Sequence, residues 1–574
     1  MQTGSPKHWN VRGYDQAHAS TLAARLGVSP VVAGLLVARG VETEEAATRL
    51  LSPSLDQLHD PSLMLGMTDA AARVLRAVDA GEQILIYGDY DVDGTTGTVV
   101  LRRALQLLGA RTRFHVPHRF TEGYGIRRDV LERAKAEGCT LVISVDCGIR
   151  AHEPLEWARA NGLDVIVTDH HLPDEDEGAP PAFAVLNANQ RGDSYPDKNL
   201  AGVGVAFKLT HALFRERGRE SLVSGFLKVV AIGTVADVAP LVGENRAIVA
   251  LGLADIVNAT NPGLRALMEV AGCGDGGGMR CSDLGFRLGP RINAAGRMDA
   301  ARAVVELFET TDEAEARRLA EHLDARNRER QSMQRAITAR AIAEYERSGD
   351  CGAVAVIAGD GWHRGVIGLA ASRIAEKLGR PCVVISLDED GTGHGSARSA
   401  RQYHLLDGLT SCAELFESFG GHAQAAGLVI RRENIPELRR RLDAHASKFL
   451  TDADCVPTLE VDAELPADAL TLRLADELER LEPFGAQWPR PVFASRGLRV
   501  VREARVLKER HLKFEIAAGE GSRPLECLWW GGAEDATATP RAGDSIELAY
   551  AVETNTWRDE KRLQLIVQDM RIGE

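Results

Sequence analysis

A chain of 574 residues exceeds what a single hydrophobic core serves and predicts roughly three to five domains. Its 44% hydrophobic and 26% charged residues describe ordinary globular domains, and no apolar stretch approaches the roughly 20 residues needed to cross a bilayer. The formal net charge of −14 argues against non-specific duplex binding but leaves room for a local basic groove and for carboxylates that hold cations.

The opening residues, MQTGSPKH, carry no signal pattern, so a cytoplasmic location without membrane attachment is expected. Nine cysteines form no CxxC pair and no regular spacing, which argues against a disulfide framework and a structural zinc site. To about residue 60, apolar residues recur at helical spacing. Helices are expected over 17–26, 31–38 and 44–51, as a small accessory segment. From residue 81 strand and helix alternate. Residues 83–87 form a strand, and an acidic loop leads into a helix with Val99, Val100, Leu101, Ala104, Leu105 and Leu108 at helical spacing. Further strands are expected at 141–145 and 165–167. This alternation predicts an α/β fold with a parallel, doubly wound sheet and a site at the carboxyl ends of its strands. Segment 301–348 is rich in Ala, Arg and Glu and reads as one or two long helices forming a solvated connector. A second α/β unit begins with strand 353–357 and continues through 382–385 to about residue 450. Short β-like runs at 497–501, 511–516, 545–551 and 563–567 then suggest a small barrel or sandwich. No internal repeat is evident.

Chemistry gathers where apolar runs end. In GDYDVDGTT at 88–96, alternate side chains of an extended chain point the same way, so Asp91 and Asp93 can face one site. Capping a helix with Asp93 would not require three alternating acids, and the spacing does not fit an EF-hand. Asp146 ends a second run. Asp169, His170 and His171 end a third, and neutral imidazole beside carboxylates suits Mn²⁺ or a similar first-row ion. Asp237 lies among Ala and Val in GTVADVAP, where a buried acid needs a partner. Mixed carboxylate and imidazole ligands are the parts of a two-metal hydrolase. Neither GxSxG nor a Walker A motif occurs, which favours hydrolysis without ATP or a covalent intermediate.

These motifs identify the chain as a member of the DHH phosphoesterase superfamily. Within it the chain resembles bacterial single-strand-specific 5′→3′ exonucleases, in order and over nearly everything beyond residue 60. The matching strings include GDYDVDG at 88–94, VPHRFTEGYG at 116–125, VTDHH at 167–171, GTVADVAPL at 233–241 and GPRINAAGRMDAA at 289–301. GSARS at 395–399, FGGHAQAAG at 419–427 and LEPFGAQWPRPVF at 481–493 follow. The resemblance implies a helical segment over 1–60, a DHH domain over 61–255, a helical connector over 256–348, a DHHA1 domain over 349–450 and an oligonucleotide-binding (OB) barrel over 455–574.

Carried onto matching positions, the resemblance implies two divalent cations, Mn²⁺ preferred or Mg²⁺. Their ligands would be Asp91, Asp93, Asp146, His170 and Asp237, with Asp146 bridging. Asp89 and Asp169 are implied as ligands or supports, the latter orienting a histidine. His171 would touch the scissile phosphate or donate a proton. Smaller relatives carry a histidine ligand where this chain has Tyr87, which leaves the first metal's set incomplete. Cys147 stands where Asn is frequent and is expected to be structural. A 5′-phosphate is best gripped by guanidinium forks. Ser396 and Arg398 are the expected pocket, aided by Arg119 and Arg297, with Arg291 also near the cleft. His422 belongs to an implied substrate-binding loop.

Aromatics are 5% of the chain, so few can stack bases. Tyr124, Trp362 and Trp557 are the candidates, Trp362 being equally a core residue. Lys508, Arg510, His511, Lys513, Trp557, Arg558 and Lys561 would furnish the barrel's basic face, and Trp529-Trp530 reads as packing. The implied activity is hydrolysis of single-stranded DNA with a free 5′ end to 5′-mononucleotides, in DNA repair and recombination. The implied state is a monomer, with single-strand-binding protein and a helicase as candidate partners. Relatives acting on oligoribonucleotides, cyclic dinucleotides or pyrophosphate are much shorter, and an inactive scaffold would be expected to lose acids that this chain keeps.

Overall fold

The computed structural model describes residues 7–273, 278–297, 301–348, 352–400, 403–450, 458–517, 524–535, 539–557 and 560–573. The chain divides into two compact units. One comprises residues 49–330 with 482–489, and the other comprises 1–48, 331–481 and 490–574.

The first unit is built on a five-stranded, all-parallel sheet. Its order is Arg111–His115, Gln83–Tyr87, Cys139–Ser144, Asp164–Thr168 and Ala184–Leu186. Central strands of the sequence QILIY and DVIVT are apolar on both faces because helices cover both. Ile84 and Ile86 pack with Leu101, Leu105, Val203 and Phe207 of the helices Val92–Leu107 and Gly202–Glu216. Leu85 and Tyr87 face Val130, Leu131, Leu155 and Ala158 of the helices Arg128–Ala136 and His152–Ala160. The doubly wound expectation is met, and every strand delivers its carboxyl end to the same edge.

The expected solvated connector needs correction. Segment 301–348 forms the helices Ala301–Glu309 and Glu313–Ser348. The second is amphipathic, burying Ala316, Leu319, Ala320 and Leu323 in its first half and Ile337, Ala341, Ile342 and Tyr345 in its second. Most of its charges occupy the outer face, with Asp324 a buried exception. The later residues pack with Ile357, Val366 and Ile367.

In the second unit a mixed sheet runs in the order Phe416–Gly421, Ala425–Arg431, Thr392–Arg398, Cys382–Leu387, Ala355–Asp360. Residues 349–351, the expected start of this α/β unit, lie outside the described ones. The last hundred or so residues form a closed five-stranded barrel. Phe493–Leu507, His511–Ala517, Leu525–Trp529, Glu560–Ile572 and Ser545–Trp557 pair in that order, and the first strand also pairs with the last. The amino-terminal segment is not purely helical. His8–Val11 pairs in parallel with Thr458–Val461, and Trp9 Nε1 donates to Asp569 Oδ2 at 2.7 Å. Among the described residues no single helix is long and apolar enough to cross a membrane.

Candidate metal centre and phosphate pocket

Each acid in the first unit is placed by the end of an element. Asp91 caps the helix Val92–Leu107, its carboxylate accepting from the Gly94 N–H at 2.9 Å. Asp93 lies in the first turn, 1% exposed, and accepts from the backbone N–H groups of Gly202 (2.6 Å) and Val203 (2.8 Å). The expectation of two aspartates projecting together from extended chain is therefore corrected. The helix starts between them and turns them toward different partners, and the capping role belongs to Asp91. Asp146 follows the strand Cys139–Ser144 at a left-handed φ of 62°. A Cβ on Gly202 would stand 2.6 Å from its Oδ1, so only glycine admits this close approach.

The Asp169-His170-His171 turn separates its members. Asp169 is fully buried and its carboxylate accepts four bonds, from the N–H groups of Ile149 (3.0 Å), His170 (2.8 Å) and His171 (3.1 Å) and from His171 Nδ1 (2.8 Å). With those bonds made, it orients His171 rather than reaching a cation. His170 turns Nε2 inward, 3.3 Å from Asp146 Oδ1, 3.8 Å from Asp93 Oδ2 and 3.9 Å from Asp237 Oδ2.

Among the described residues three groups result, each with ligand atoms within 4.8 Å of one another: Asp89, Asp91 and Asp146; Asp93, His170 and Asp237; and Asp146, His170 and His171. Asp146 is common to two of them. Asp89 Oδ1, Asp146 Oδ1 and His170 Nε2 are buried without a hydrogen-bond partner. Leaving such groups unsatisfied is expensive, and divalent cations satisfy all three at once. The donor set, carboxylate oxygens with one or two imidazoles, fits Mn²⁺ or Mg²⁺.

The electrostatics agree. Burial, then the charges of Asp237 and Asp91, pushes the Asp93 carboxyl well up. Burial, then Asp93 and Asp91, does the same to Asp146. Asp89 is pushed up to about 8 by burial and then by Asp91, and Asp237 to about 7 by the same two causes. His170 is lowered to about 4, by burial and then by His171, so it offers a neutral ring nitrogen. For His171, burial works against the charge, but the bond to Asp169 and the acids around it outweigh burial and raise its pKa.

Other expected residues fall into place differently. Tyr87 is buried and donates its hydroxyl to the Gly125 carbonyl at 3.0 Å, so it replaces no ligand. The buried Cys147 thiol is pushed well up by burial and is inert. Tyr124 lies beside the metal cluster, its hydroxyl donating to the Asp146 carbonyl at 3.1 Å and its ring 5.6 Å from that of His171. Arg119 stacks on Tyr90 at 4.7 Å, and its charge acts on Asp89. The charge of Arg297 acts on Tyr90. Arg291 is a correction. Its Nε donates to Asp324 Oδ1 at 2.9 Å and its Nη1 to the Arg287 carbonyl at 2.8 Å, which commits it to helix packing.

In the second unit Ser396 and Arg398 share one face of the strand Thr392–Arg398, with Arg398 Nη1 donating to Ser396 Oγ at 3.1 Å. They stand over Gly368 of the helix Arg364–Leu378, where a Cβ would come within 3.0 Å of both. His422 is exposed in a turn. Trp362 is core, 6% exposed. Lys513 pairs with Glu526 at 2.6 Å and Lys561 with Asp476 at 2.6 Å, so neither is a free phosphate contact. His511 meets the ring of Trp530 edge-on at 4.8 Å, and Trp530 is 58% exposed. Trp529 packs as expected but Trp530 does not, and period-two alternation at the strand end could have separated them. The side chain of Trp557 and all of Arg558 lie outside the described residues.

Comparisons with known proteins follow the same division. The DHH family N-terminal domain matches residues 83–234, the DHHA1 domain 349–448 and the RecJ OB domain 461–569. The single-stranded-DNA-specific exonuclease RecJ of Bacillus subtilis is 37% identical over 99% of this chain and 71% of its own length. The crystal structure of Thermus thermophilus RecJ with Mn²⁺ superposes with a TM-score of 0.83 at 32% identity, covering 99% of this chain and 80% of that one. Its Mg²⁺ complex gives 0.77 at 30% identity, over 99% and 79%. With likeness of this depth running through every domain, the chain belongs to the RecJ family.

Proposed function

We infer that the chain is a metal-dependent exonuclease that hydrolyses single-stranded DNA from a free 5′ end to 5′-mononucleotides, in DNA repair and recombination. The observation that carries this reading is Asp146, whose Oδ1 is buried without a hydrogen-bond partner, groups with Asp89 and Asp91, and lies 3.3 Å from the equally unpartnered His170 Nε2. Asp89, Asp91 and Asp146 would hold one cation and Asp93, His170 and Asp237 the other. Such a pair supplies an activated water and neutralises charge on the phosphoryl oxygens. The chain's own part is to fix and protonate. His171, held by Asp169 and charged more readily than a free imidazole, stands with its side chain 45% exposed, placed to donate to a phosphate oxygen or leaving group. Tyr124 braces both His171 and the Asp146 backbone. Ser396 and Arg398 are read as the 5′-phosphate pocket of the second unit, and Arg119 and Arg297 as phosphate contacts of the first. We also infer domain limits of 61–255, 256–348, 349–450 and 455–574, a monomer in the cytoplasm, and single-strand-binding protein and a helicase as partners.

The test is degradation of 5′-phosphorylated single strands against matched duplex, with Mn²⁺ or with EDTA. Single strands are expected to be consumed only with metal, and duplex to survive. Equal loss of duplex, or activity in EDTA, defeats the reading. In the same assay Arg398→Ala is expected to slow cleavage of 5′-phosphorylated ends by about tenfold to a hundredfold, the range of a lost charge-assisted phosphate contact. Its Mn²⁺ affinity by calorimetry should stay at the wild-type value.

A further inference from the structure

Val238 follows Asp237 at the end of the helix Leu227–Ala236. The helix closes with two bonds, from the Ala239 N–H to the Thr234 carbonyl and from the Val238 N–H to the Val235 carbonyl, both 3.2 Å. This is the Schellman pattern, whose C′ residue must be left-handed and is usually glycine. A β-branched side chain is a marked outlier there. Elsewhere the chain uses glycine: Gly27, Gly81 and Gly379 end the helices Gln16–Leu26, Met67–Ala80 and Arg364–Leu378 with φ between 62° and 66°. At the metal centre it places Val238 instead, at φ 61°.

The fold gains no packing from this, because Val238 is 70% exposed. Strain without internal compensation, one residue from a metal-cluster carboxylate, points to a partner that is not part of the chain. The surroundings are of the same character. Leu172, next after His171, is 66% exposed, and Tyr124, bonded to the Asp146 backbone, is 52% exposed. Carboxylates and imidazoles occupy the middle of the cluster while apolar side chains follow or brace its members. A nucleotide is divided likewise: its phosphate is ionic, and the deoxyribose edge and base face beside it are apolar.

We propose that Val238 is a substrate-contact residue that packs against the sugar and base of the nucleotide whose phosphate lies at the Asp146 cluster. The inference rests on the exonuclease reading above. Its test uses the full chain with Mn²⁺ and a 5′-phosphorylated single strand, comparing Val238→Gly and Val238→Leu. Val238→Gly is expected to raise KM about tenfold, with kcat changed far less, because the contact binds ground state and transition state alike. Val238→Leu, which restores an apolar side chain, should return KM toward the wild-type value. Mn²⁺ affinity should hold within about twofold, and the Tm of Val238→Gly should equal or exceed that of the wild type because the left-handed strain is gone. A wild-type KM in Val238→Gly overturns the proposal, and so does a Tm several degrees lower, which would make the side chain structural. A wild-type protein inactive on single strands would overturn the nuclease reading and this proposal together, an outcome distinct from an active but insensitive variant.

Discussion

Asp146→Asn is expected to reduce hydrolysis of single-stranded DNA on the order of a thousandfold or more, the scale seen when a group that stabilises transition-state charge is removed. Asp146 groups with Asp89 and Asp91 for one cation, and its Oδ1 lies 3.3 Å from His170 Nε2 of the set for the other, so its loss disturbs both positions at once. Asn keeps the size of the side chain and tolerates the φ of 62°. The metal-free fold should therefore not be weakened. It loses a buried carboxylate that is under pressure from Asp93 and Asp91 and that has an oxygen without a partner. The expected signature is a metal-free Tm at or above the wild-type value, together with near-complete loss of cleavage and of at least one Mn²⁺ equivalent by calorimetry. A variant that binds two equivalents and retains a tenth of the activity would show that Asp146 does not join the two groups.

Much of this centre was legible in the sequence because strand ends announce themselves. Gln83–Tyr87 has the bounds its β-branched and apolar run implies, since a strand buried on both faces has no polar interruptions. The acids that follow then share one edge of a parallel sheet by topology alone. What escaped depends on contacts distant in sequence or on local turns. The edge strand Arg111–His115 reads RTRFH, with arginines facing solvent, and lacks an apolar run. Ala184–Leu186 is too short to have a period. The separation of Asp91 from Asp93 depends on a helix beginning at Val92, which alternation in extended chain does not anticipate. Arg291 looked available for phosphate because its partner, Asp324, arrives from a helix 33 positions away. The barrel was visible only in fragments, because Phe493–Leu507 is long, Arg-rich and exposed over its outer half, while its register shifts let it pair on both sides.

The same crowding of carboxylates predicts how metal and pH act together on stability. In the metal-free protein Asp237 titrates near about 7 and Asp89 near about 8, against 3.8 for an unperturbed aspartate. Between those limits the folded chain holds more protons than the unfolded chain, so stability falls as pH rises. The contribution is fully present below the unfolded value and is lost as pH passes through the folded values. His170, lowered from 6.5 to about 4, works the other way between those values, where the unfolded chain holds the extra proton, so it does not produce the trend. A divalent cation reverses the situation, because it binds the deprotonated carboxylates and replaces their mutual repulsion with attraction. Binding must then release protons near neutrality, and affinity must climb as pH rises toward 8. Saturation at about a hundred times Kd adds about 2.7 kcal/mol to the folded state. At fixed Mn²⁺ the gain in Tm over the EDTA-treated protein is therefore expected to be several degrees at about pH 8 and to shrink toward zero by about pH 5.5. Scanning calorimetry at both values checks this, with calorimetric titration in two buffers of different ionisation enthalpy counting the released protons. Equal gains at the two pH values, or binding without proton release, would mean that the acids around Asp146 do not hold the cation.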